Sequence, residues 1–226
     1  CRVMPAMART ISTRAIAGIT LHRPTELIIS ARAGTPLAEV EAALAAKGQM
    51  LTAETAHLTA LMGVDAAPTI GGAVAANLSG PRRISGGAMR DHVMGIRFVN
   101  GRGDVLRSGG RVLKNVTGLD LCKLLTGSHG TLGIITEVTL KVQPAPEASA
   151  TLSLRVPDLD TGRRVLSAGL GSPFGVTGAA LLADARRALL RIEDFADSVA
   201  YRSEKLRETL RDFGDAEIIP DAESRA

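Results

Sequence analysis

The stretch from Ala67 to Gly80, APTIGGAVAANLSG, constrains this chain more than any other. It is rich in Gly and Ala, carries no charged side chain, and is followed at once by Pro81, Arg82 and Arg83. Such material makes a poor surface helix. Gly71 and Gly72 let a backbone approach a ligand closely, Ala73, Ala75 and Ala76 permit tight packing, and Asn77 and Ser79 supply isolated polar contacts. Two readings are open at this point. Backbone amides at the start of a short helix face an anionic or polarised group of a large cofactor, or the segment is a small-residue helix packed on a sheet.

Composition narrows the classes. The chain has 226 residues, 45% hydrophobic and 22% charged, so a folded globular protein with one large domain or two small ones is expected. Aromatic residues are 2%, with no Trp and one Tyr, so the stacking platforms of single-strand nucleic-acid binders are missing and no nucleic-acid partner is expected. The net charge of +4 is uneven: residues 1–183 hold 19 basic and 12 acidic side chains. That bias suits a phosphate-bearing ligand, and it suits a solvated surface equally well. Two cysteines, Cys1 and Cys122, make neither a disulfide framework nor a metal-thiolate cluster, and no metal site is expected. Any iron–sulfur carrier belongs on another chain. No apolar run reaches the ~20 residues of a membrane helix. The opening CRVMPAMARTISTRAIAG is basic and free of acidic residues but lacks a cleavage pattern; starting at Cys, the chain reads as a piece of something longer.

Local patterns predict an α+β fold. Gly18 to His22 and Glu26 to Ala33 have strand composition, with Arg23 and Pro24 as a turn. Thr35 is placed to cap a helix with Pro36 at its first position; Leu37, Val40, Ala43 and Leu44 recur at helical spacing until Gly48, and a short strand follows from Gln49 to Thr52. His92 to Val99 and Asp104 to Arg107 form a hairpin across Asn100, Gly101, Arg102 and Gly103. Asp120 caps a short helix through Leu125, and Thr131 to Val142 is a strand ended by Pro144 and Pro146, where a domain boundary is expected. The first domain is then 1–146 and the second 147–226. In the second, strands at Thr151 to Val156, Gly178 to Leu182, Ala188 to Glu193 and Ala216 to Ile219 alternate with helices at Asp160 to Ala168 and after Asp197 or Ser198, the last with Val199, Leu206, Leu210 and Phe213 on one face. The order suggests a ferredoxin-like α+β domain.

Three segments in combination, PTIGGAVAANLSG at 68–80, RDHVMGIRFVNGRGDVL at 90–106 and KNVTGLDLCKLLTGSHGTLGIITEVTLKV at 114–142, carry a family resemblance. The chain resembles the FAD-binding domain of the vanillyl-alcohol oxidase, or PCMH, type. Within that type, ARAGTPLAEVEAALAAKGQML at 31–51, SGPRR at 79–83 and RVLKN at 111–115 are similar to the FAD-binding subunits of bacterial glycolate oxidases. The resemblance implies a PCMH-type FAD-binding domain with an incomplete N-terminal lobe, followed by a partial ferredoxin-like cap domain.

It also implies cofactor neighbours: Thr69, Ile70, Gly71, Gly72, Asn77, Ser79 and Gly80 beside the flavin, and Gly130, Thr131, Gly133 and Ile134 on the adenine and pyrophosphate side. A tight turn before a buried strand is the bland reading of GSHGTLGIIT. Asp91 is carried over too, though it would equally cap or pair with Arg90. His57 after Glu54 stands where the resembled subunits tend to have a Glu and a His near the presumed flavin site, a candidate general base; no catalytic residue is assigned. His92 and His129 read as packing or backbone contacts and His22 as surface. Lys114 and Asn115 suit a phosphate or carboxylate, or plain loop hydrogen bonding; Arg82 and Arg83 read as a surface turn, or as a partner interface. Neither glycine-rich loop has the spacing of a nicotinamide-binding fingerprint.

The chain departs from the family in lacking the Gly/Ser-rich pyrophosphate loop, in ending before the cap domain of family members does, and in having Leu119 and Ser108 where aromatics are usual. Truncation at both ends is therefore expected, with one wall of the cofactor site missing. The function implied is an FAD-binding subunit of a glycolate (2-hydroxy acid) oxidase complex, cytoplasmic or peripheral at the inner membrane. Its partners are a larger FAD-containing subunit and an iron–sulfur subunit that takes the electrons. The alternative is a non-catalytic structural subunit of the same fold that no longer holds FAD.

Overall fold

The computed structural model describes residues 11–57, 59, 63, 67–110 and 119–224. Their elements run β1 (Ile19–Arg23), β2 (Ile28–Arg32), α1 (Leu37–Ala45), β3 (Gln49–Met50), α2 (Ile70–Ala76), α3 (Arg83–Gly86), α4 (Met89–His92), β4 (Val93–Val99), β5 (Val105–Gly109), α5 (Leu121–Leu125), β6 (Ile134–Lys141) and β7 (Gln143–Pro144). They continue with β8 (Ala148–Arg155), α6 (Leu159–Leu170), β9 (Gly178–Leu182), β10 (Arg187–Asp194), α7 (Ala196–Thr209), β11 (Ala216–Ile219) and α8 (Asp221–Ser224). Contacts divide the chain into two compact units. The first draws on Cys1–Leu51, His57–Leu78 and Met89–Gln143, the second on Thr52–Ala56, Ser79–Ala88 and Pro144–Ala226. The second unit is thus more than the C-terminal stretch, since it takes in two short segments from earlier in the chain.

The first unit is built on a five-stranded antiparallel sheet in the order β1-β2-β6-β4-β5. The β4–β5 hairpin forms as its turn residues dictate: Asn100 Oδ1 accepts from the amides of Arg102 and Asp104, and Val99 pairs with Val105. Helix α1 buries Leu37, Val40 and Leu44, the residues at helical spacing. Its start differs from expectation. Thr35 does not cap α1; its hydroxyl donates to the Arg32 carbonyl at 2.7 Å and accepts the Gly18 amide at 2.9 Å, so it ties the end of β2 to the start of β1. Asp120 does cap α5, accepting the Lys123 amide at 3.2 Å. With Ile29, Ile70, Val74, Met89, Leu125 and Leu140, these elements close one apolar core.

The second unit carries an antiparallel sheet in the order β11-β8-β10-β9, with α6 joining β8 to β9 and α7 joining β10 to β11. That order, with two strand–helix–strand halves, is the ferredoxin-like arrangement. Leu152, Leu154, Val165, Leu190, Ile192 and Leu206 fill its core. Neither Asp197 nor Ser198 caps α7. The helix begins at Ala196 with Phe195 as its N-cap, two residues before Asp197, and the preceding Asp194 accepts the Phe195 amide at 2.8 Å and the Arg202 guanidinium at 2.6 Å.

Candidate cofactor site

The Gly/Ala stretch forms α2, and its two glycines have different surroundings. Gly71 is buried, its amide donating to the Ala33 carbonyl at 2.9 Å, and a Cβ there would lie 2.5 Å from Ala33 Cβ. It lets the helix rest on the end of β2. Gly72 is exposed, and among the described residues a Cβ there would meet only the Thr69 hydroxyl, at 3.2 Å. Its face of the helix is therefore bare backbone, open to whatever lies against it.

Contrary to expectation, the amides at this helix start do not point at a ligand. Ile70 N donates to the Thr35 carbonyl at 3.0 Å, Gly71 N to Ala33, Gly72 N to the Thr69 side chain at 3.2 Å and Ala73 N to the Thr69 carbonyl at 2.9 Å. Thr69 is the N-cap, so its hydroxyl serves the helix, and Ile70 is fully buried in the core. What α2 offers a ligand is absence of bulk rather than donors.

Uncommitted donors lie in the loop after α5. Gly127 N donates to the Val74 carbonyl at 3.1 Å and His129 N to Ala75 at 2.9 Å, which docks the GSHG turn onto the last turn of α2. The exit is shared: Asn77 ends α2 in the left-handed region at φ 52°, and its side chain accepts the Arg90 amide at 2.9 Å. His129 and Gly130 are also left-handed, at φ 53° and 75°, and the exposed amides of Gly130 and Leu132 meet no acceptor among the described residues. Between them the Thr131 amide donates to the Ser128 carbonyl at 3.0 Å, so Gly130 and Leu132 are two separate donors that this turn leaves for a ligand. The Ser128 hydroxyl is buried, with no hydrogen-bond partner among the described residues.

The remaining residues proposed from sequence have varied places. Thr131 closes the turn, its hydroxyl donating to the Ser128 carbonyl at 2.6 Å. Gly133 lies under β4, where a Cβ would come 2.9 Å from the Phe98 ring, and Ile134 opens β6. Asp91 is exposed on α4. Ser79 and Gly80 fall in the second unit, where the Gly80 amide donates to the Ala53 carbonyl at 2.9 Å. The exposed His57 places Nε2 2.9 Å from Oε2 of the half-buried Glu41 on α1, while His22 pairs with Gln49 at 2.9 Å. Lys114 and Asn115 lie outside the described residues. Arg82 is not a surface arginine: its side chain is 13% exposed and grips Glu193. Ser128, Leu132 and the free Gly130 amide were not distinguishable in advance, because which donors remain unpaired is settled only when the loop docks on α2.

Among the described residues this wall fits a flavin dinucleotide by its own features: a helix face at Gly72 that no side chain covers, amides at Gly130 and Leu132 that meet no acceptor, and a hydroxyl at Ser128 without a partner. Replacing Ser128 by Ala tests the last of these. A buried unpaired hydroxyl costs stability, so the variant should melt at or slightly above the wild type, whereas FAD titration should show affinity weakened about fivefold to tenfold, the worth of one hydrogen bond. A drop in melting temperature instead would show that the hydroxyl is paired within the fold.

Known proteins bear on the helix side of this wall, which lies inside the matched stretch, while the 128–132 loop lies beyond it. Residues 6–109 match the family of the FAD binding domain. The glycolate oxidase subunit GlcE of Escherichia coli (strain K12) is 49% identical over 148 residues, 66% of this chain and 41% of that protein. The glycolate oxidase subunit GlcD of Bacillus subtilis (strain 168) is 41% identical over 99 residues, 44% of this chain and 21% of that protein. The chain thus spans about two fifths of one relative's length and about a fifth of the other's. A solved alkyldihydroxyacetonephosphate synthase has the same fold at 18% identity, with a TM-score of 0.72, covering 92% of this chain and 43% of that one. Residues 6–109 thus match an FAD binding domain, and over part of its length the chain is similar to proteins named as glycolate oxidase subunits.

Proposed function

We propose that the chain serves as an FAD-binding subunit of a complex that oxidises glycolate or a close 2-hydroxy acid, with electrons passing to an iron–sulfur partner. The observation that carries this reading is the pairing of the bare Gly72 face with the uncommitted donors of the 128–132 loop. Helix and loop are docked to each other by Gly127 and His129. The similarity to two proteins named as glycolate oxidase subunits supports both the substrate class and an assembly of several chains.

FAD, when bound, supplies the two-electron acceptor for the hydroxyl-bearing carbon of such an acid. The part played by this chain is binding and orientation. Gly72 keeps the helix face clear, Gly130 and Leu132 direct amides at an anionic portion of the ligand, and Ser128 adds one hydroxyl. A chain with only 2% aromatic residues has little ring area to stack on a planar ligand, so contact through backbone and small side chains is the mode left to it. We assign no proton-transfer residue. Within the complex the chain lies in the cytoplasm or at the inner face of the membrane.

The test is direct. Purified protein mixed with FAD and desalted should keep flavin absorption bands and pull down a chain with iron–sulfur absorbance. Colourless protein after desalting would instead support a structural subunit that has kept the fold without the cofactor.

A further inference from the structure

The five-stranded sheet of the first unit ends on β5, and this edge lacks the devices that the other edges carry. At the opposite edge, β1 is interrupted by a register shift between Ile19 and Leu21. In the second unit, β11 is four residues long and is followed by Pro220. The start of β9 lies against Pro81, whose Cβ is 3.3 Å from where a Gly178 Cβ would stand, and the Ser85 hydroxyl donates to the neighbouring Thr177 carbonyl at 3.4 Å. Bulges, short strands and covering loops keep an edge from pairing with another chain. Strand β5 has none of them among the described residues. Its register to β4 is unbroken, it holds no proline, and Val105 and Leu106 are 56% and 39% exposed.

The ladder decides which backbone groups are open. The Gly110 amide donates to the Met94 carbonyl at 3.0 Å and the Asn100 amide to the Asp104 carbonyl at 3.1 Å. Pairs in phase with these, Ile96 with Ser108 and Phe98 with Leu106, are the hydrogen-bonded ones. Val105 and Arg107 fall between them. Their amides and carbonyls turn away from β4, and no backbone group among the described residues meets them.

The same edge carries an unanswered charge. Arg107 stands opposite Arg97, in the non-hydrogen-bonded kind of pair where side chains approach most closely. Like charges so placed are destabilising, and neither guanidinium makes a hydrogen bond or ion pair with a described residue. Glu137, paired with Arg97 on its other side, accepts the Thr20 hydroxyl at 2.7 Å. A groove of about 270 Å³ opens beside the two arginines, with Gly95 and Gly109 adding no bulk to it.

We propose that the β5 edge accepts an extended acidic segment of another protein as a sixth strand of this sheet. Val105 and Arg107 supply the rungs of the ladder, the mode by which a strand adds to an open edge. A carboxylate opposite Arg107 answers the surplus charge, and its two successors along the strand meet Leu106 on one face and Val105 on the other. The segment is therefore an Asp or Glu beside two apolar residues. A second copy of this chain is the wrong occupant, because pairing β5 with itself brings a second Arg107 to a row already positive. The proposal goes beyond the flavin reading and does not depend on it.

The probe is the capped peptide GTVTEVVTSG, titrated into the full chain and followed by amide NMR and hydrogen exchange. Without peptide, the amides of Val105 and Arg107 should exchange at least about tenfold faster than those of Leu106 and Ser108. With peptide they should become as protected as their neighbours. A peptide with Lys in place of Glu should bind about tenfold more weakly, the swing between opposite and like charges across a strand pair. Arg107→Glu should invert that preference, and it should melt no lower than the wild type because it faces Arg97 with an opposite charge. The Glu peptide methylated on alternate amides, which keeps the charge but loses the rungs, should not bind. Four results overturn the proposal: no binding of the Glu peptide, equal binding of the Lys peptide, binding that leaves the Val105 and Arg107 amides unprotected, and equal binding of the methylated peptide. Protection of the same amides by concentration-dependent dimerisation without peptide also overturns it, since the edge then belongs to a second copy.

Discussion

Gly72→Val is expected to yield a protein that melts close to the wild type and leaves a desalting column without flavin. Valine is a better helix residue than glycine by a few tenths of a kcal/mol, and among the described residues the only atom near a new Cβ is the Thr69 hydroxyl at 3.2 Å. The Thr69 hydroxyl need shift by only a few tenths of an ångström, so the cost to the first unit is small. The ligand meets the larger obstacle, because two methyl groups now stand on a face of α2 that no described side chain covers. Overpacking of a close contact costs about 1–3 kcal/mol, so FAD affinity should weaken on the order of a hundredfold, enough to empty the site on dilution. The checks are a thermal melt followed by circular dichroism and an FAD titration followed by flavin fluorescence. Flavin retained at wild-type affinity would show that the Gly72 face is not the cofactor's wall.

Its neighbour should behave in the opposite way. Gly71→Ala adds one methyl group, but 2.5 Å from Ala33 Cβ and 2.7 Å from the Ala33 carbonyl oxygen, the acceptor of Gly71's own amide. The obstacle is backbone and a short side chain, neither of which can rotate away, so helix and strand must separate. A loss of about 3 kcal/mol, the upper end of ordinary overpacking, is expected. It is read as a lower urea midpoint with unchanged slope. Gly72→Ala is the control: it should be neutral or stabilise by up to about 1 kcal/mol. A Gly71→Ala protein as stable as Gly72→Ala would mean that α2 does not rest on β2 as described.

These two glycines show where reading the chain stops. Local chemistry was legible: the Asn100 turn and its hairpin, the Asp120 cap, the apolar spacing of α1, and the strand and helix order of the second unit, each a matter of residues within a few positions of one another. The same reasoning misplaced Thr35, Asp197 and Ser198 as caps. A hydroxyl or carboxylate near a helix start is free to bind elsewhere, and Thr35 binds Gly18, 17 residues away. The family resemblance pointed to the TIGG and GSHGTLG segments but not to which groups in them are unpaired.

For Ala67 to Gly80, sequence alone determined that the segment would be a small-residue element admitting close approach, because Gly and Ala have no bulk to prevent it. Tertiary structure decided which glycine faces the core and which is bare, that the helix amides are already satisfied, and that the open donors belong to the 128–132 loop. It also turned Arg82 inward to Glu193 and brought Arg191 to Glu54 across 137 residues. Pairings at such separation leave no periodic trace in a sequence. They follow only once the sheets have formed and the two ends of each pair are held within hydrogen-bonding distance.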